Sequence, residues 1–139
     1  MRILITGGRN WNNYKQIKQA IAFTLLVNES DPAEVTLIHG NARGADLLGA
    51  EAAEGLGLNI EVHPARWDIY GRGAGPIRNQ EMVDSGADLC LAFLMPGSTG
   101  TADCIRRARK AGIPVIIHNL DGTIEDEIQA MGINNVQMD

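Results

Sequence analysis

Three glycine-bearing segments carry the residue types best suited to holding an anion. They are Thr6-Gly7-Gly8-Arg9, His39-Gly40-Asn41-Ala42-Arg43-Gly44-Ala45-Asp46 and Pro96-Gly97-Ser98-Thr99-Gly100-Thr101. Glycine lets the backbone approach a ligand closely and adopt φ > 0, so successive N–H groups can converge on one anion. Arg9 and Arg43 add guanidinium groups to the first two segments, with plain solvent exposure as their alternative reading. Ser98, Thr99 and Thr101 add hydroxyls to the third, where Thr101 could equally cap a helix. The chemistry is phosphate binding, but no segment is a Walker loop, because no Gly-Lys-Ser/Thr closes the third. Nor does a GxGxxG fingerprint follow the first.

A fourth stretch, residues 64–75, is long, Gly-rich and aromatic, and it runs into Pro76-Ile77-Arg78-Asn79. Arg78 is the strongest single candidate, since a guanidinium can clamp a phosphate through two parallel hydrogen bonds. Asn79 is grouped with it. Trp67 is read as packing that pins the loop, and Tyr70 as a base-stacking contact. Trp11 and Tyr14 suit a hydrophobic staple at a helix start, with covering the pocket as their alternative reading. Asp46 has two readings: a carboxylate bonding loop amides near a helix start, or a partner for a ribose hydroxyl. His39, His63 and His118 each close an apolar run, yet no CxxC, HxH or HExxH spacing supports a metal site. No metal or other cofactor is expected, and His39 is kept only as a candidate ligand contact. The basic run Arg106, Arg107, Arg109 and Lys110 reads as a solvated helix face.

The elements that must position these residues alternate. Apolar runs at residues 2–6 (RILIT), 35–39, 59–63, 88–94 and 114–118 are short and nearly continuous, as strands covered on both faces should be. Helical patterns occupy roughly residues 14–28, 43–56, 76–85 and 101–111, with Pro76 at a first helical position and Gly57, Gly86 and Gly112 at helix exits. A last helix is expected over residues 123–131, entered by acidic residues. The pattern predicts an α/β, Rossmann-like, open and mostly parallel sheet of about five strands with helices on both faces, forming one domain over residues 1–139. In such sheets ligands bind outside the carboxyl ends of the strands, which is where all three glycine segments fall.

Composition narrows the class. The 139 residues carry a formal charge of −5, which argues against coating nucleic acid non-specifically, since neutralising phosphates needs surplus Lys and Arg. Cys90 and Cys104 make no disulfide framework and read as reduced core residues. No apolar run approaches the roughly 20 residues that span a bilayer, and nothing resembles a signal peptide. A cytoplasmic location without membrane partners is expected.

The segments TGGR, HGNARGAD, PARWDIYGRGAGPIRN and PGSTGTAD together resemble the SLOG superfamily, the Rossmann-like group that contains DprA/Smf and the LOG phosphoribohydrolases. Within it they are most similar to the small YspA-like branch of bacteria and phages. The resemblance spans residues 2–115, and its most specific part is residues 65–79. It implies a domain that binds nucleotides or nucleotide-derived ligands, and it implies a homo-oligomer. LOG enzymes cut the N-glycosidic bond of nucleoside 5′-monophosphates with a PGGxGTxxE motif. Pro96, Gly97, Gly100 and Thr101 match it, Ser98 replaces the second Gly, and Cys104 stands where the Glu belongs. Asp103 is adjacent, but one helical step turns it by about 100°.

Three functions follow. The first is binding of a nucleotide-type ligand (a nucleoside phosphate, an ADP-ribose-like molecule or a signalling nucleotide) as a sensor or sequestering protein. The alternative is hydrolysis of an N-glycosidic or phosphate bond in such a ligand, with Asp46, Asp103 or Glu81 as base. The third is DprA-like binding of single-stranded nucleic acid, disfavoured by charge and length.

Overall fold

The computed structural model describes residues 1–126. Its parallel strands are β1 (Arg2–Gly7), β2 (Thr36–His39), β3 (Asn59–Val62), β4 (Leu89–Leu94) and β5 (Val115–Asn119). Each is followed by a helix or by the sheet's last turn: α1 (Tyr14–Val27), α2 (Ala45–Leu56), α3 (Trp67–Tyr70), α4 (Ala74–Asp84) and α5 (Thr99–Lys110). With a sixth strand, β6 (Ile124–Asp126), the sheet order is β3-β2-β1-β4-β5-β6, so the direction of winding reverses between β1 and β4. That reversal opens a crevice at the carboxyl ends of these two central strands.

Strand side chains alternate between two cores. Ile3, Ile5, Leu37, Leu91 and Phe93 pack with Ile17 and Ile21 of α1 and the small residues Ala45, Ala52 and Ala53 of α2. Leu4, Ile38, Cys90, Ala92, Val115 and Ile117 pack on the other face, with Met82 and Val83 of α4 and Cys104, Ile105 and Ala108 of α5. Both faces are therefore covered, which is why the strands read as continuous apolar runs. Fully burying one such aliphatic side chain is worth roughly 1.5–3 kcal/mol.

Local signals set the boundaries. The Asn13 side chain accepts the Gln16 N–H and starts α1, and Gly57 at φ 88° closes α2. Pro76 is the third residue of α4 rather than the first, still within the turn whose N–H groups have no intrahelical acceptor. The stretch read as a loop is α3 followed by a single 3-10 turn, Gly71–Gly73. Helix α5 begins two residues earlier than the sequence pattern indicates, so its N-cap is Ser98 and Thr101 lies inside the first turn.

One element differs in kind. Where the acidic residues after Thr123 predict a helix start, a sixth strand, β6 (Ile124–Asp126), pairs antiparallel with β5. The turn feeding it is closed by Gly122 N–H donating to Asn119 O at 3.1 Å, and by Asp121 accepting from the amide and hydroxyl of Thr123. Gly122 sits at φ 89°, and a β-hairpin returns the chain beside β5. The rest of the expected helix lies outside the described residues.

Candidate functional site

The first two glycine loops are built against each other. A Cβ on Gly7 would stand 2.5 Å from the Ala45 Cβ and 2.9 Å from the Phe93 Cβ. Gly44 has φ 81°, and a Cβ there would run into the carbonyl oxygens of Gly8 and Arg9. The Gly8 carbonyl accepts from the amides of Trp11 and Ala45, both at 3.2 Å. Asp46 organises the second loop: its Oδ2 accepts from Gly40 N at 3.0 Å and Ala42 N at 3.4 Å. The loop-bonding reading of Asp46 is thus realised, while the side chain also lines the main cavity. Burial pushes its carboxyl up to about 6, against the pull of the Gly40 amide and the Arg78 charge.

Arg78, in α4, lies on Gly40. A Cβ at that glycine would occupy the guanidinium's place, so the missing side chain makes the contact possible. Arg78 Nη1 donates to Gly40 O, and Nε donates to Asn79 Oδ1 at 3.0 Å. Asn79 is buried and spans to α5, its Nδ2 donating to Gly100 O at 3.2 Å and Asp103 Oδ2 at 3.0 Å. Asp103 also accepts from Arg106 and, at 2.9 Å, from Arg107. Burial would raise the Asp103 carboxyl, but hydrogen bonds from Arg107 and Asn79 and the two Arg charges outweigh it and hold the group below its ordinary range.

These groups surround a cavity of about 750 Å³ at the β1/β4 crevice. Twelve of the sixteen sequence-predicted residues line it: Gly7, Gly8, Arg9 and Asp46 from the first two loops, Arg78 and Asn79 from α4, and Pro96, Gly97, Ser98, Thr99, Gly100 and Thr101 from the third loop and α5. Gly40 and Arg43 line an adjoining cavity of about 400 Å³, whose wall also includes Arg9, Trp67 and Arg78. The remaining two, Gly44 and Tyr70, are not in either wall. Gly44 is spent on loop packing, and Tyr70 is 48% exposed on α3. Its neighbour Trp67 is the aromatic that reaches both cavities, with its ring edge against Gly75 of α4.

Sequence reasoning missed Arg72 and Arg106 as cavity residues. Both were legible only as members of a loop and a basic run, because their direction depends on how α3 and α5 are set. It named Asp103 as one of three candidate bases, one helical step from the LOG glutamate position. The structure puts Asp103 in the cavity wall and Cys104 fully inside the core, where burial pushes the thiol up to about 11. Glu81 lies outside both cavities, its carboxylate 4.0 Å from His63.

The three histidines do not converge. His39 is buried, accepts the Asn41 N–H on Nδ1 at 3.0 Å, and is outside both walls; burial, then the charge of His63, lowers its pKa. His63 pairs with Glu61 at 2.8 Å, and His118 stacks on Phe93 at 4.8 Å. Trp11 is buried edge-on to Phe93 at 5.4 Å, so it packs beneath the site rather than covering it. Tyr14 is packed against the same core.

A model of the YspA, cpYpsA-related SLOG family (YAcAr) matches residues 1–70. The gene 61 protein of Mycobacterium phage D29 is similar at 45% identity over 120 residues, which are 83% of this chain and 94% of the phage protein. The chain belongs to the YspA, cpYpsA-related SLOG family. Two solved structures share the fold of this SLOG chain. DNA processing protein A (DprA) of Streptococcus pneumoniae superposes with a TM-score of 0.64 at 16% identity, covering 87% of this chain and 52% of that one. This chain therefore spans about half the length of that protein. DprA of Helicobacter pylori, whose structure is described for its single-stranded DNA binding mode, superposes with a TM-score of 0.62 at 18% identity, covering 95% and 73%. At such identities the likeness establishes the Rossmann-like architecture of the SLOG chain and nothing finer. Among the described residues no helix is long and apolar enough to cross a membrane.

Proposed function

We propose that this protein binds a nucleotide-type, phosphate-bearing ligand in the cavity at the carboxyl ends of β1 and β4, as a sensor or sequestering protein. The observation that carries the reading is a separation of charge. The chain is acidic overall at −5, yet the walls of the two adjoining cavities hold Arg9, Arg43, Arg72, Arg78 and Arg106 against only Asp46 and Asp103. Every cation there is an Arg, the residue whose fork fits phosphate oxygens. The start of α5 lies in the same wall and adds amide donors and a partial positive charge. Arg78 uses Nε and Nη1 on the protein, and no described residue accepts from its Nη2.

Binding without turnover is the better-supported form. The carboxylates in the wall are engaged, Asp46 by loop amides and Asp103 by Asn79, Arg106 and Arg107. Cys104 is a buried, protonated thiol in the place of the LOG glutamate. A panel of nucleoside monophosphates, ADP-ribose, NAD and cyclic nucleotides should contain a compound that raises the melting temperature and is recovered intact. Release of free base or phosphate would establish the hydrolase instead.

The fold shared with DprA favours a second reading, binding of single-stranded nucleic acid, which the net charge speaks against. An oligothymidylate that binds more tightly than any mononucleotide, with affinity falling steeply as salt rises, would select it.

A further inference from the structure

The β5–β6 hairpin creates a cavity that the sequence pattern did not anticipate. It measures about 660 Å³ and lies on the far side of the third glycine loop from the Arg-lined site, with Met95, Pro96, Gly97, Ser98 and Thr99 shared by both walls. Its own walls are Leu94, Ala102 and Leu120, with Asn119, Asp121 and Thr123 at the hairpin. No Lys, Arg or His is among the lining residues, and the one ionisable group is the Asp121 carboxylate. A phosphate is repelled there, whereas a neutral, flat ring meets aliphatic surface and a few hydrogen-bonding groups.

Leu120 makes the case specific. It is a large aliphatic residue 55% exposed on a tight turn, between Asn119 and Asp121, whose side chains are used to build that turn. Polar residues usually hold such positions. We propose that this cavity seats the nucleobase of the ligand, with the ligand crossing the 96–99 loop so that its phosphate lies on the Arg side and its base under Leu120. The inference rests on the nucleotide reading above. The competing seat is Trp67, which lines both arginine-bearing cavities and lies 3.5 Å from the Cβ position of Gly75.

Ribose 5-phosphate and the four common nucleoside 5′-monophosphates separate these possibilities, because they share the sugar phosphate and differ in the base. Titration calorimetry on the full chain should show one nucleotide binding more tightly than ribose 5-phosphate. Leu120→Glu should lower that nucleotide's affinity about tenfold and leave ribose 5-phosphate unchanged, while Leu120→Trp should tighten the nucleotide alone. Melting temperatures of both variants check that the exposed turn still folds. If the base-dependent gain survives Leu120→Glu, or is lost in Trp67→Ala instead, the base lies elsewhere and this inference is overturned while the nucleotide reading stands. If neither ribose 5-phosphate nor any nucleotide binds the wild-type chain, both are overturned.

Discussion

The glycines of the first two loops and those of the third look alike in sequence and differ in what surrounds them. At Gly7, Gly40 and Gly44 an added Cβ would meet Ala45, the Arg78 guanidinium, or the carbonyls of Gly8 and Arg9. At Gly97 and Gly100 it would meet nothing within 4 Å. In the first pair of loops glycine is required because protein already fills the space. In the third loop the space is open, beside a helix start and facing the arginines. Only the second situation leaves room for a ligand against the backbone. A glycine-rich segment at a strand end is therefore two signals, one for tight loop packing and one for a vacant cradle.

The comparison is broken most readily at Gly44. Gly44→Ala forces a Cβ onto two carbonyl oxygens at a positive φ, and it should cost about 3 kcal/mol, read by chemical denaturation. A cost near zero would mean that the loops are not locked together. Arg78→Ala comes next: ligand affinity should fall at least about tenfold, or 1.4 kcal/mol, in titration calorimetry, with a smaller effect on folding. Gly100→Ala should behave in the opposite way to Gly44→Ala. It removes a glycine from a helix and should raise stability by about 0.5–1 kcal/mol, while its methyl group in the open cradle weakens the ligand several-fold.

A smaller effect is expected from pH. Asp46 has its carboxyl raised from 3.8 to about 6 in the folded protein, so between those pH values the native state holds a proton that the unfolded chain has released. Its contribution to stability is full below pH 3.8, declines as pH rises toward 6, and is level above that. Asp46→Asn keeps an acceptor for the Gly40 amide and should flatten this limb in denaturation curves taken between pH 4 and 7. Glu61, lowered to about 2 by the Arg2 and His63 hydrogen bonds, has the reverse sign, with stability lost as pH falls below 4.5. Least affected should be Tyr70→Ala, which should leave ligand affinity within about twofold because the ring is outside both cavity walls.

The sheet was legible in the sequence because both of its faces are buried. Five apolar runs separated by amphipathic stretches admit few other folds, and the helix ends at Gly57, Gly86 and Gly112 carry the positive φ that their glycines announce. The sixth strand was not legible: three residues of an edge hairpin, Ile124–Asp126, are too short for a period-2 pattern, and their acidic character imitates a helix start. The candidate site was legible where it follows strand ends, so most glycines and hydroxyls of the cavity wall were named. Side-chain direction was not. Asp103, one helical step from the LOG glutamate position, lines the cavity, while Cys104 at that position lies in the core. Trp67 rather than Tyr70 lines the two cavities, although both rings are about half exposed on the same short helix.

The central claim is that the third loop, and not the first two, is the ligand cradle. Amide chemical shifts recorded while titrating the nucleotide that most raises the melting temperature test it directly. The account predicts the largest changes at Gly97, Ser98, Thr99, Gly100 and Thr101 and at the Arg78 side chain, with Gly7 and Gly44 nearly unmoved. Saturable shifts centred on Gly7 and Gly44, or no saturable shifts from any phosphate-bearing nucleotide, would contradict it.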